Sequence, residues 1–129
     1  MKMIKSWFIL YVQDQARSTE FYQKVLNVAP SLNVPGMTEF KLSDSSSLGL
    51  MPEKGIKKLL GDKLSDPEKS NGISRAELYL QVADPQQFHN RVLENGGAEL
   101  SPLLARNWGD DVAYSTDLDG HVLAFAKTS

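Results

Sequence analysis

The side chains that could carry chemistry in this chain are few. It has two histidines and no cysteine, which removes thiolate nucleophiles, disulfides and cysteine-rich zinc sites at once. His89 falls within a predicted helix and His121 at a predicted turn, so they do not form a couple. A P-loop, a glycine-rich dinucleotide fingerprint and a Ser/His/Asp arrangement are all lacking. What remains is chemistry of recognition. The run Arg106-Asn107-Trp108-Gly109-Asp110-Asp111 puts a guanidinium, able to pair with a carboxylate or phosphate, two residues from an indole able to stack on a planar ligand. A plainer reading of the same run has Trp108 plugging the end of a sheet and Asp110-Asp111 capping a turn.

The elements that would position these residues follow from periodicity. Residues 7–12, Trp-Phe-Ile-Leu-Tyr-Val, are an apolar, aromatic and β-branched run that reads as a buried strand. Asp14 can cap a helix on which Phe21, Tyr22, Val25 and Leu26 share one face. Pro30 and Pro35-Gly36 mark turns. Glu39–Leu42 alternates as a strand, and so does the stretch around Leu48 and Leu50 after the turn Ser43–Ser46. The order then recurs. Glu77–Val82 alternates, and Asp84-Pro85 starts a helix with proline at its first position. Phe88, Val92 and Leu93 supply the buried face of that helix, and Gly96-Gly97 ends it. Strands follow at Val112–Thr116 and Val122–Ala126, around the tight turn Asp117-Leu118-Asp119-Gly120.

Residues repeat as well as patterns. Val12-x-Asp14 echoes Val82-x-Asp84, and Phe21-Tyr22-Gln23-Lys24-Val25-Leu26 echoes Phe88-His89-Asn90-Arg91-Val92-Leu93. Asp44 followed by Leu48 and Leu50 echoes Asp119 followed by Leu123 and Phe125. These matches, in one order, imply an internal duplication. The repeats span about residues 5–52 and 75–127, joined by a polar, lysine-rich linker of about 53–74. The linker holds a short helix at Gly55–Leu60 and reads as a connector, although a loop of that length can also be functional.

The 129 residues fit a single domain, 1–129, with one core. A net charge of −2, from 14 basic and 16 acidic residues, gives no reason to expect nucleic acid or an anionic membrane as partner. No stretch approaches the roughly 20 apolar residues that span a bilayer. The apolar run after Lys2 and Lys5 is too short for a signal-peptide core. A cytoplasmic location is the expectation.

A strand ending in Val-x-Asp, then a helix bearing Phe-Tyr and Val-Leu, resembles the opening of the glyoxalase/bleomycin-resistance proteins, the vicinal oxygen chelate superfamily. The closing Asp117-Leu118-Asp119-Gly120-His121 is similar to that superfamily's Asp-Pro-Asp-Gly hairpin, with Leu118 in place of proline. The resemblance covers Trp7 to Ala126 apart from the linker. It implies an α+β fold of two βαβββ repeats, forming a curled mixed sheet around a cleft with helices outside. In that superfamily a metal is held by His or Glu on the first and fourth strands of each repeat. Those positions correspond here to Trp7, Gly49, Glu77 and Ala124, of which only Glu77 carries a ligating side chain. No metal and no other cofactor is expected, because a divalent ion needs three or more protein ligands. His89, outside the cleft, and His121, out of phase with Ala124, do not replace them.

If Trp7 and Glu77 face the cleft, alternation puts Ile9, Tyr11, Tyr79 and Gln81 beside them. Phe8, Leu10, Val12, Leu78, Leu80 and Val82 then face the helices. Tyr114 matches a substrate-contacting tyrosine of the fosfomycin-resistance branch, although a core or packing role is the plainer reading. The resemblance therefore implies a ligand site of Trp7, Glu77, Tyr79, Arg106, Trp108 and Tyr114: aromatic walls with a few polar groups. The same aromatics could instead fill the cleft or a dimer seam. The first expectation is a metal-free small-molecule binding protein, resembling the bleomycin-resistance proteins that sequester a ligand, and a homodimer. The alternative is a lyase or isomerase-type enzyme, with a buried Glu77 as base or a divergent metal site. A protein-interaction domain is the third class.

Overall fold

Two aspartates start the two longest helices in the same way. Asp14 Oδ1 accepts from the backbone N–H of Arg17 at 3.0 Å and begins α1, Gln15–Leu26. Asp84 Oδ1 accepts from Gln87 N–H at 3.1 Å and begins α3, Pro85–Glu94. Each satisfies an amide that the helix itself leaves unpaired. A third helix, α2, covers Glu53–Leu60, two residues longer at its start than the sequence suggests. The structure, a computed structural model, describes residues 2–129.

Eight strands accompany the helices among the described residues: β1 Ser6–Val12, β2 Leu32–Val34, β3 Met37–Ser43, β4 Ser46–Pro52, β5 Glu77–Gln81, β6 Ala98–Ala105, β7 Asp110–Thr116 and β8 Val122–Thr128. They form two four-stranded sheets, ordered β1-β4-β3-β2 and β5-β8-β7-β6. In each, the outer pair β1–β4 or β5–β8 is parallel and the remaining pairs are antiparallel. The fold is thus α+β and the βαβββ unit occurs twice, as expected. The chain divides into two compact units, one running to Gln23 and through Asn27–Asn71, the other comprising Lys24–Leu26 and Gly72–Ser129.

In the first unit Val12, Phe21, Tyr22, Phe40, Leu48 and Leu50 are buried. Tyr22 meets Phe21 edge-on, 5.0 Å between centroids, and lies 6.4 Å from Phe40 on β3. In the second unit Val92, Val112, Ala113, Leu123, Ala124, Phe125 and Ala126 are buried, and Phe88 lies 5.2 Å from Phe125. The helices therefore cover equivalent faces, with Leu48, Leu50 and Phe40 in one repeat and Leu123 and Phe125 in the other.

Several sequence expectations need correction. β1 is not a buried strand: Trp7 is 47% exposed, and Phe8, expected against a helix, is 50% exposed. The reason is its place at the edge of the sheet, while α1 makes its aromatic contact two strands away on β3. Leu93, expected in the core, is 40% exposed. The buried line of α3 is Pro85, His89 and Val92, an i, i+4, i+7 series that leaves Leu93 on its flank. Leu26 and Phe88 are half-buried. β2 and β6, implied by the two βαβββ repeats, lie where no alternation in the sequence marks a strand. β6 contains Pro102, which a sheet tolerates at an edge or a bulge. β6 is an edge strand, and its register shifts on both sides of Ser101.

The linker is structured. After α2 come 3₁₀ turns at Gly61–Lys63 and Pro67–Ser70, and Lys57 Nζ donates to the carbonyls of Gly61 at 3.0 Å and Leu64 at 2.6 Å. Among the described residues no helix is long and apolar enough to cross a membrane.

Candidate functional site

The β6–β7 hairpin carries most of the chemistry. Arg106 N–H donates to the Asp110 carbonyl at 2.8 Å, and Gly109 N–H to the Arg106 carbonyl at 3.3 Å. Gly109 has φ +97°, the left-handed conformation with which a three-residue hairpin loop closes. This turn presents Trp108 outward, and its indole Nε1–H donates to Tyr79 Oη on β5 at 3.0 Å. Tyr79 in turn donates its hydroxyl proton to Asp110 Oδ2 at 2.5 Å. Hairpin and β5 are thereby tied together by a hydrogen-bonded chain of indole, phenol and carboxylate. The Asp110 carboxylate holding its proton keeps the Tyr79 phenol above its ordinary pKa; the Trp108 donor opposes this in part. Both rings remain open to solvent, Trp108 at 55% and Tyr79 at 42%.

Register places the other nominated residues of this repeat. Tyr79 pairs with Ala124, and Ala124 with Tyr114, so the two tyrosines flank a small residue on one face of the sheet. Val112, Ala124 and Ala126 form a buried floor, with Tyr114 packed on it. The Arg106 guanidinium lies 5.1 Å from the centroid of the Tyr114 ring. Its Nη2 reaches Ser101 Oγ at 2.7 Å, the Val112 carbonyl at 2.8 Å and the Pro102 carbonyl at 3.2 Å. Glu77, two residues before Tyr79, shares the face but is exposed. The burial that a general-base role for Glu77 calls for is not met.

Trp7 belongs to the other repeat. It pairs with Ser47, and Ile9 with Gly49, on the face opposite Leu48, Leu50 and Phe40. Trp7 therefore points away from α1, and Lys5 Nζ sits 4.7 Å from its ring centroid. Gly49 leaves room for Ile9: a β-carbon there would lie 3.0 Å from Ile9 Cγ1 and 3.3 Å from Met37 Sδ.

Two sets of residues escaped sequence reasoning. Asp110 was read as a turn residue, and its bond to Tyr79 spans 31 positions that no local signal connects. His89 was placed on α3, but not as a core residue. It is 1% exposed, at the position that Tyr22 fills in α1, and its Nε2 lies 2.8 Å from Glu99 Oε2. An open groove of about 660 Å³ runs beside Gln15, Thr19, Asn33 and Pro35. None of the nominated residues line it. Its Gln15 amide is spent within the protein, donating to Val34 O and Thr38 Oγ1 and accepting from Gly36 N–H.

A pair of βαβββ units, each with one helix on its sheet, is the architecture of glyoxalase-like proteins. The glyoxalase-like domain model matches residues 5–128, and the chain belongs to that family, within the vicinal oxygen chelate superfamily. Solved structures agree in fold. A glyoxalase-related enzyme from Fulvimarina pelagi is 20% identical, covers 95% of this chain and 86% of its own, and has a TM-score of 0.80. A hypothetical protein from S. aureus is 25% identical, covering 98% and 95%, with a TM-score of 0.79. A glyoxalase/bleomycin resistance protein/dioxygenase family enzyme from Burkholderia phytofirmans is 13% identical, covering 96% and 98%, with a TM-score of 0.80. Among curated proteins no match was found.

The superfamily's metal can be tested against this donor set. Of Trp7, Gly49, Glu77 and Ala124, one carboxylate alone can coordinate. Among the described residues no three His, Asp or Glu side chains come together to hold an ion. The residues present do not fit the metal.

Proposed function

We propose that this chain is a metal-free small-molecule binding protein, akin to the ligand-sequestering members of its superfamily, with its site on the aromatic face of the second repeat. The observation that carries the reading is the chain from Trp108 through Tyr79 to Asp110. It fixes two half-exposed rings in place without covering them, so little ordering cost is left for the ligand to meet. Ring stacking on such a platform adds about 0.5–1.5 kcal/mol beyond the area buried. Arg106 and Tyr114 border the same site. Trp7 is retained as a ligand-facing residue of the first repeat, on the side of β1 away from α1.

The test is a thermal-stability screen against small planar compounds, since a ligand that binds only the folded state raises its apparent stability. Binders should raise the Tm of the wild type, and Trp108→Ala should abolish the rise while leaving the unliganded Tm within a few degrees. A rise that survives Trp108→Ala unchanged would remove the platform from the site. The enzyme reading, with Glu77 as base, is less favoured because the carboxylate is exposed. A homodimer forms part of the proposal. Support comes from consecutive exposed residues Trp7, Phe8 and Ile9, which leave both sides of the edge strand β1 open. Sedimentation analysis of the wild type against Phe8→Glu tests it.

A further inference from the structure

Among the described residues no carboxylate is paired with Arg106. Its Nη2 serves three neutral oxygens, and its Nε is buried without a hydrogen-bond partner. The two acids of the same hairpin are engaged elsewhere: Asp110 with the Tyr79 hydroxyl, Asp111 with the Ser129 hydroxyl at 2.6 Å. Binding Ser101, Pro102 and Val112 across the bulged β6–β7 pair needs donors, and a neutral amide could supply them. A half-buried guanidinium facing only neutral oxygens and a tyrosine ring has been given a positive charge for which the fold has no use.

The surroundings limit what that charge would meet. Arg106 lies over Tyr114, and Tyr114 faces Tyr79 across Ala124. Two strand spacings, about 10 Å, separate the backbones that carry the two tyrosines. Resting on the binding role proposed above, the geometry points to a planar aromatic anion, an aryl carboxylate of about two rings, as the ligand class. The carboxylate lies on Arg106, and the rings lie toward Tyr79 and Trp108. Two carboxylates share this face and oppose an anion. Asp110 is held by the Tyr79 phenol, and Glu77 stands on β5, those two strand spacings from β7. Coulomb attraction falls with separation, so direct contact with the guanidinium outweighs repulsion from Glu77.

Calorimetric titration with three probes of one shape tests this: naphthoate, the neutral naphthamide and the cationic naphthylmethylamine. Naphthoate should bind about tenfold or more tighter than naphthamide, the usual gain from a charge-assisted hydrogen bond, and naphthylmethylamine should bind weakest. Arg106→Gln should erase the preference for the acid, bringing naphthoate to the affinity of naphthamide. Should Arg106→Gln fail to fold, Arg106→Lys must retain a preference for the acid. In the wild type, rising salt must weaken naphthoate while sparing naphthamide. Equal binding of acid and amide, tightest binding of the amine, or an acid preference that survives Arg106→Gln each overturn the inference and leave the binding role standing. Absence of naphthyl binding overturns it too. If the stability screen then yields other ligands, the binding role stands; if it yields none, both fall.

Discussion

The two repeats share a frame and differ in what hangs on it. In the first, the β2–β3 turn at Pro35-Gly36 is short and its β2 has three residues, all exposed. In the second, the equivalent hairpin joins an eight-residue β6 to β7 and carries Arg106, Trp108 and Asp110. The parts that build the sheets are alike: aspartate caps, a parallel outer pair, and an aromatic contact between helix and sheet. One repeat has a short hairpin, and the other has a longer one bonded back to β5. The proposed site thus sits at a loop that the shared frame leaves free to differ.

That comparison can be broken first at the cores. Phe40 and Phe125 are fully buried at the helix-facing side of their sheets. Phe40→Ala and Phe125→Ala should each cost about 3–5 kcal/mol in urea unfolding. A cost below about 1 kcal/mol in either would show that repeat to be loosely packed and the two not equivalent.

The β–β turns near the repeat ends should separate more sharply. Asp117 is buried, and its Oδ1 accepts from the backbone N–H groups of Asp119 and His121, both at 2.9 Å. Asp44, in the first repeat's turn, is exposed, and among the described residues it makes a long ion pair with Lys41, 3.7 Å. Asp117→Ala should cost about 2 kcal/mol, and Asp44→Ala within about 0.5 kcal/mol. Equal effects would erase this distinction. Asp14→Ala and Asp84→Ala, by contrast, should match each other at about 1 kcal/mol, because both caps have the same geometry.

Tyr79 gives the smallest effect and one confined to the second repeat. Its phenol is held above the ordinary value, first by the hydrogen bond to Asp110. The folded state therefore keeps this proton when the unfolded chain has begun to lose it. The contribution to stability is complete below the unfolded phenol pKa, about 10, and is lost as pH rises through the folded one. In a spectroscopic phenolate titration, Tyr79→Phe should remove a late component, and Asp110→Asn should move that component to lower pH. A titration unchanged by Asp110→Asn would mean that the hydrogen bond does not govern the phenol.

Much of the frame was legible because its signals are local. Asp14 and Asp84-Pro85 announce helix starts, and Asp117–Gly120 a turn, from neighbouring residues alone. β6 was not legible, because Pro102 and two register shifts interrupt its alternation and only its edge position makes them tolerable. Leu93 misled for a related reason. It is apolar, but the buried line of α3 passes through His89, whose Glu99 partner comes from another element. At the site, Arg106 and Trp108 could be nominated by type, Trp7, Glu77 and Tyr114 by resemblance, and Tyr79 by alternation from Glu77. That Trp108 bonds Tyr79, 29 positions away, is a consequence of strand order that spacing alone does not encode.

The most direct test of the account is the indole N–H signal of Trp108 in a two-dimensional NMR titration with a compound that stabilises the protein. Trp108→Phe assigns that signal against the one from Trp7. The account predicts that it shifts on binding, together with the backbone amides of Arg106, Tyr79 and Tyr114. Saturable binding that leaves the Trp108 indole unmoved and instead shifts residues along the groove at Gln15 and Asn33 would contradict it.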